Sequence, residues 1–370
     1  MKQRFKKHVA LILISLMLLS LIGCGKPAST ETTTTTETAV TEAPASISDA
    51  ATTADSTPAD ASEEGSDAET VYPVTVTDQA GREVTIEKEP ESIVSGYYIS
   101  TSLLLALGLK DKVTGIEAKA SKRPIYKLAV PEFLELPNVG TAKEFDLETC
   151  ASLSPELVIL PMKLKDAAQS LSELDIPVLL VNPESEDQLE QMIELVSTAT
   201  NTKGNADALL SYIDEKKEML EKDLSGVDAK SVYLAGNSSL LSTAGPAMYQ
   251  SGLIELAGGK NAASEITDTY WAEISYEQLL AWDPSYIILA SDAEYTPEDV
   301  LNDENLKECT AVKNGDVYAI PGDIEALDSP VPGGILASIW LAGILHPDQV
   351  SADMYTEEKA AFYETFYGIK

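Results

Sequence analysis

Two stretches decide the reading of this chain: Asp146-Leu147-Glu148-Thr149-Cys150-Ala151-Ser152-Leu153-Ser154-Pro155-Glu156-Leu157-Val158-Ile159-Leu160, and Ser275-Tyr276-Glu277-Gln278-Leu279-Leu280-Ala281-Trp282-Asp283-Pro284-Ser285-Tyr286-Ile287-Ile288-Leu289. In each, a side chain suited to capping opens a helix, a proline nine residues later ends it, and an apolar β-forming run follows. Ser275 and Gln278 also have the spacing of a capping box. The same helix-proline-strand unit therefore occurs twice, as expected of two similar halves facing a cleft. A shorter echo, Leu105-Ala106-Leu107-Gly108 against Glu255-Leu256-Ala257-Gly258, would be chance if it stood alone.

Working outward, Val74-Thr75-Val76-Thr77 and Arg82-Glu83-Val84-Thr85-Ile86 alternate around the turn residues Asp78-Gln79-Ala80-Gly81, which predicts a β-hairpin. Short apolar runs at Ser92–Ser95, Lys112–Ile116, Leu157–Leu160 and Val178–Val181 alternate with helical patterns. After a polar helical stretch the texture resumes at Ser231–Ala235 and Tyr286–Leu289. Strands that are apolar throughout and alternate with helices imply parallel sheets covered on both faces. The expected fold class is α/β, two halves with parallel sheets, a helical bridge and a cleft between them. The N-terminal lobe is placed at 71–200, the linker helix at 203–225 and the C-terminal lobe at 228–370.

The front of the chain has another character. Lys2, Arg4, Lys6 and Lys7 precede an apolar run of 14 residues, Val9 to Ile22, too short to span a bilayer and laid out as a secretory signal. Leu21-Ile22-Gly23-Cys24 resembles a lipobox, which implies cleavage after residue 23 and a lipid anchor on Cys24. Residues 24–70 are rich in Thr, Ser, Ala and acidic residues and nearly free of large apolar side chains, so a flexible stalk is expected. Without the leader the chain has 22 basic and 60 acidic side chains, a net charge of −38 that repels nucleic acid.

The opening Thr77-Asp78-Gln79-Ala80-Gly81-Arg82-Glu83-Val84, Pro90-Glu91-Ser92-Ile93-Val94, Val139-Gly140, the two quoted units and Asn314-Gly315-Asp316-Val317-Tyr318-Ala319 occur in one order. Together they resemble the class III periplasmic binding proteins, which present ferric siderophores, haem or cobalamin to ABC permeases, over about residues 73–370. The resemblance implies two αβα lobes joined by one long helix, in a monomeric, non-enzymatic binder on the outer face of the cytoplasmic membrane. It also implies one docking glutamate per lobe for the permease dimer, Glu148 and Glu277. Both fall at the second helical position of the repeated unit, where a carboxylate also favours the helix dipole.

Ligands of such sheets lie beyond the carboxyl ends of strands. Candidate contacts are Tyr97 and Tyr98 after the first strand, and Lys119, Lys122 and Arg123 after the second, in a segment with no acid from Ala118 to Pro131. Lys163 follows the third strand, and Ser242, Thr243 and Tyr249 follow the first strand of the second lobe. Tyr270 and Trp271 precede the Glu277 helix. The basic cluster suits an anion, although a solvated loop balancing nearby acids would look the same. Asp328 and Ser329 fit a helix cap or a cleft wall.

Cys150 and Cys309 have no spacing that specifies a bridge, and a small apolar role is the default for both. His346 falls where a helix ends, and no histidine-rich metal set, Cys-x-x-Cys, nucleophile elbow or phosphate loop is present, so no cofactor or metal is expected. A tetrahedral oxyanion such as molybdate or tungstate is the alternative ligand. A surface-anchored hydrolase and an adhesive lipoprotein are the readings from other classes.

Overall fold

The computed structural model describes residues 69–267 and 269–370. The expected leader, Cys24 and residues 24–68 of the expected stalk lie outside the described residues. Among the described residues no helix is long and apolar enough to cross a membrane.

The first half contains β1 (Val74–Thr77), β2 (Glu83–Ile86), β3 (Ile93–Ser95), α1 (Tyr98–Ala106), β4 (Val113–Gly115), α2 (Pro124–Ala129), α3 (Leu147–Ser152), β5 (Leu157–Pro161), α4 (Lys165–Ser172), β6 (Val178–Val181) and α5 (Glu186–Thr200). The long α6 (Lys203–Asp223) leads into β7 (Lys230–Ala235), β8 (Ser242–Ala244), α7 (Tyr249–Leu256), β9 (Gly259–Asn261), β10 (Trp271–Glu273), α8 (Tyr276–Trp282) and β11 (Tyr286–Leu289). The chain ends with α9 (Pro297–Leu301), α10 (Thr310–Asn314), β12 (Val317–Ala319), α11 (Ile335–Leu345) and α12 (Ala352–Tyr367).

Two parallel sheets organise these elements, in the orders β4-β3-β5-β6 and β12-β11-β7-β9. Numbered by appearance within its own sheet, each runs second, first, third, fourth. The duplication seen in the sequence is thus a duplication of topology.

Side chains along the strands point alternately to two faces, and along the inner strands β3 and β5 both faces are dry. In β5, Leu157 and Ile159 join one apolar core while Val158 and Leu160 join another. In β7 and β11, Val232, Leu234 and Ile288 turn to the first of those cores, and Tyr233, Ile287 and Leu289 to a third. The fold therefore has an outer core behind each sheet and one middle core to which both sheets contribute. Helix α11, apolar on all sides, is buried in the middle core. Helix α12 closes it with an aromatic cluster in which Phe362 lies 5.2 Å from Tyr212 of α6 and 5.0 Å from Phe366. Lys216 of α6, nearly buried, pairs with Glu358 of α12 at 2.9 Å.

The hairpin is fastened to the first sheet by one carboxylate. Asp78, 4% exposed, accepts from the backbone N–H groups of Ala80, Arg82 and Leu180, and its Oδ2 pairs with Arg82 at 2.7 Å. The repeated unit is capped as its sequence implies: Asp146 accepts from the Thr149 N–H and Ser275 from the Gln278 N–H. Ser154 and Asp283, each just before the proline, both adopt left-handed backbone, φ 50° and 43°. The expected capping box at Ser275 is only half formed. The Gln278 side chain is turned toward Glu265, to which its amide N–H donates and which also accepts from the Trp282 indole, so its oxygen does not reach back to the Ser275 N–H.

Candidate functional site

A cavity of about 430 Å³ opens between the two halves at the carboxyl ends of the strands. Its N-terminal wall comes from the segments after β3 and β4. Tyr98 opens α1 and Ser102 lies one turn further along it, while Lys119, Lys122 and Arg123 lie on the loop into α2. A buried carboxylate shapes this loop: Glu117 accepts hydroxyl hydrogen bonds from Thr101 and Tyr126, each 2.7 Å. Burial pushes the Glu117 carboxyl up, while the two hydroxyls and nearby Arg123 pull it back. The Arg123 guanidinium stands 3.8 Å from the centre of the Tyr98 ring, a cation–π contact that holds it over the cavity.

The C-terminal wall uses different strands. Ser291, Asp292 and Glu294 follow β11, and Glu325 follows β12. Asp328 is nearly buried and accepts from the Ser291 hydroxyl and backbone N–H, and Asn237 donates to Asp292. Asp328 therefore braces a cavity loop, and the reading of it as a helix cap is corrected: α11 starts behind a tight Pro332–Gly334 turn with no side-chain cap. The walls touch directly where Tyr98 donates to the Ser329 hydroxyl at 2.9 Å and the Ile125 N–H to the Ile324 carbonyl at 3.0 Å.

Of the candidate contacts, the cavity gathers Tyr98, Lys119, Lys122 and Arg123. Tyr97 stands behind them, edge-on to Tyr98 at 5.4 Å. The others lie elsewhere. Lys163 is exposed on the turn after β5. Ser242 and Thr243 belong to β8, paired with β10, so neither is a loop residue. Tyr249 is buried at the start of α7, its hydroxyl packed against Gly334. Tyr270 and Trp271 are exposed and do not line the cavity; the Trp271 ring covers Gly236, whose neighbour Asn237 bonds the cavity residues Asp292 and Glu294. Those of the second half lie in or beside β8, α7 and β10, whereas the cavity's second wall draws on the segments after β11 and β12. Ser102, Tyr126, Asp292, Glu294 and Glu325 are cavity residues that the sequence did not single out.

Glu148 and Glu277 are exposed in the first turns of α3 and α8. Hydrogen bonds from its own N–H and the Ser275 hydroxyl hold the Glu277 carboxyl below the usual range. Cys150 and Cys309 are free and buried in the two separate outer cores, and burial pushes the Cys150 thiol up to about 12. His346 ends α11 with Nε2 at 3.0 Å from the Gly258 carbonyl oxygen, so a tertiary contact as well as the helix end holds it. Among the described residues no group of three or more His, Cys, Asp or Glu is arranged to hold a metal ion.

The profile of the periplasmic binding protein family matches residues 93–324. The chain belongs to the periplasmic binding protein family. This periplasmic binding protein is of class III, a substrate-binding protein of the kind that serves ABC transporters, and not an enzyme. It is 28% identical over 273 residues to the uncharacterized ABC transporter substrate-binding lipoprotein YvrC of Bacillus subtilis, covering 70% of this chain and 82% of that one. It is 24% identical over 319 residues to the molybdate-binding protein MolA of Haemophilus influenzae, covering 79% and 90%. Among solved structures, a periplasmic solute binding protein from Veillonella parvula superposes with a TM-score of 0.69 at 26% identity, covering 80% of this chain and 93% of that one.

Proposed function

We propose that this protein captures an anionic iron complex of siderophore size between its lobes and hands it to an ABC permease. The observation that carries the reading is the convergence of Lys119, Lys122 and Arg123 on one interlobe cavity in a chain of net charge −34. Arginine grips carboxylate or catecholate oxygens with paired hydrogen bonds, and lysine adds point charge. Volume ranks the ligands. Drug-sized solutes occupy roughly 300–1,000 Å³, and about 430 Å³ is at the compact end of that range. A corrin with its side chains needs more space, haem needs a flat apolar slot that these polar walls do not offer, and a compact ferric siderophore fits. Glu148 and Glu277 serve as the permease-docking pair, one per lobe, and a lipid on Cys24 holds the protein at the outer face of the cytoplasmic membrane.

Molybdate or tungstate is the second reading, supported by the similarity to MolA. An oxyanion of a few atoms would fill little of the cavity and leave the rest to water. Calorimetric titration of the purified protein with ferric catecholates, ferric citrate, haem, cobalamin and molybdate tests both. Saturable binding of a ferric chelate, weakened in Lys122→Ala and Arg123→Ala, is the expected result. Tight binding of molybdate alone would replace the iron reading with the oxyanion one.

A further inference from the structure

The cavity walls carry opposite charge. Lys119, Lys122 and Arg123 stand on the N-terminal side, and Asp292, Glu294 and Glu325 on the C-terminal side. Among the described residues none of these six forms an ion pair with another side chain. A pocket for a simple anion gains nothing from three carboxyls on its far wall, since like charge opposes binding.

Glu325 is the most constrained of the three. It is 6% exposed, in contact with the cavity, and among the described residues its hydrogen-bond donors are hydroxyls: Ser102 of α1, and Tyr363 of α12 at 3.2 Å. Tyr367 of α12 lies one step behind, bonded to the Ser102 hydroxyl at 2.9 Å. Arg123 acts on it electrostatically but makes no ion pair with it, its guanidinium lying over the Tyr98 ring. A buried carboxylate without a cation is costly unless it takes up a proton or meets an opposite charge. The wall thus lacks one positive group, and it faces the solute.

We propose that the bound iron complex carries a cationic group, an ammonium or guanidinium, that meets Glu325 with Asp292 and Glu294 at the rim, while its anionic part meets Lys119, Lys122 and Arg123. This rests on the reading of the cavity as the site of an anionic iron complex and narrows it to an amine-bearing chelate. The titration behaviour of Glu325 agrees with it. Burial pushes the carboxyl up to about 7, so near neutral pH the group is part-protonated, and an incoming cation expels the proton to solvent.

The test uses the purified full-length chain and two ferric dihydroxybenzamide complexes alike except that one has an aminobutyl arm and the other a butyl arm. The aminobutyl complex is expected to bind at least about tenfold tighter at pH 7, a charge-assisted hydrogen bond being worth that much. Its binding heat in buffers of different ionisation enthalpy is expected to report net proton release that is smaller or absent for the butyl complex. Glu325→Gln removes both the preference and the proton release, and the exposed pair Asp292→Asn with Glu294→Gln reduces the preference several-fold. Should Glu325→Gln fail to fold, the rim pair and the proton count decide. Equal binding of the two complexes, or a preference that survives Glu325→Gln, overturns the cationic group at Glu325 and leaves the iron-complex reading in place. Binding of neither complex removes both.

Discussion

The two halves of this protein repeat one sheet order and one helix-proline-strand unit, yet they contribute to the cavity in different ways. The first half uses the segments after its first and second strands, β3 and β4, and the second half those after its third and fourth, β11 and β12. One wall is basic and the other acidic. In a chain with 60 acidic residues, an acidic wall is unremarkable and the basic one is the departure. Duplication supplies the scaffold and its caps, while the chemistry resides in loops that bear no echo of one another.

The comparison can be broken in several places. The largest effect concerns Glu325. Its carboxyl is held at about 7 in the folded protein against an ordinary 4.5, so the native state binds the proton more tightly than the unfolded chain. Stability from this group is full at low pH and declines as pH rises from about 4.5 to about 7, with no further loss above. Glu325→Gln should therefore gain on the wild type across that window, by up to about 3 kcal/mol, in urea melts at a series of pH values. A constant difference between the two proteins would mean the carboxyl is not buried uncharged.

Next in size is Arg123→Ala, expected to weaken binding of a ferric catecholate by about 10- to 100-fold. Arg123→Lys should recover little, because lysine supplies neither the fork nor the stacking on Tyr98. Lys163→Ala serves as the control from the same half, and an equal loss there would remove the assignment of the basic wall. The caps come third. Asp146→Ala and Ser275→Ala should each cost about 1 kcal/mol in thermal unfolding, and unequal costs would show that the duplicated unit has diverged in energy as well as sequence. The smallest effect on stability belongs to Glu148→Ala and Glu277→Ala, each within about 0.5 kcal/mol. Solute affinity should be unchanged in both, and uptake by cells reduced in both.

What the sequence made legible follows from where its signals are local. Caps, prolines and apolar runs act over a few residues, so the hairpin, the strands and the repeated unit could be read directly. Lys119, Lys122 and Arg123 were visible because a basic segment contrasts with an acidic chain. Trp271 reads as a loop residue for the complementary reason that it is an aromatic beside a helix start, and only the pairing of Ala272 with Thr243 across β10 and β8 reveals a strand. Glu325 gave no signal. A lone glutamate after a short strand looks solvated, and its burial is created by α1 and α12, of which Ser102 of α1 is 223 residues away in the chain. Long-range closure of this kind has no periodicity to detect.

The middle core has a consequence for how the molecule comes apart. Val232 and Leu234 from one sheet, Leu157 and Ile159 from the other, and Phe362 from the last helix all belong to it, so neither half owns a complete interior. Denaturant should release the described body at a single midpoint, by tryptophan emission and circular dichroism alike, instead of melting one lobe ahead of its twin. A half exchanged with a relative would arrive with part of its hydrophobic interior missing. Exchange of ligand specificity is better sought by transplanting the loops after β4, β11 and β12 onto an intact body.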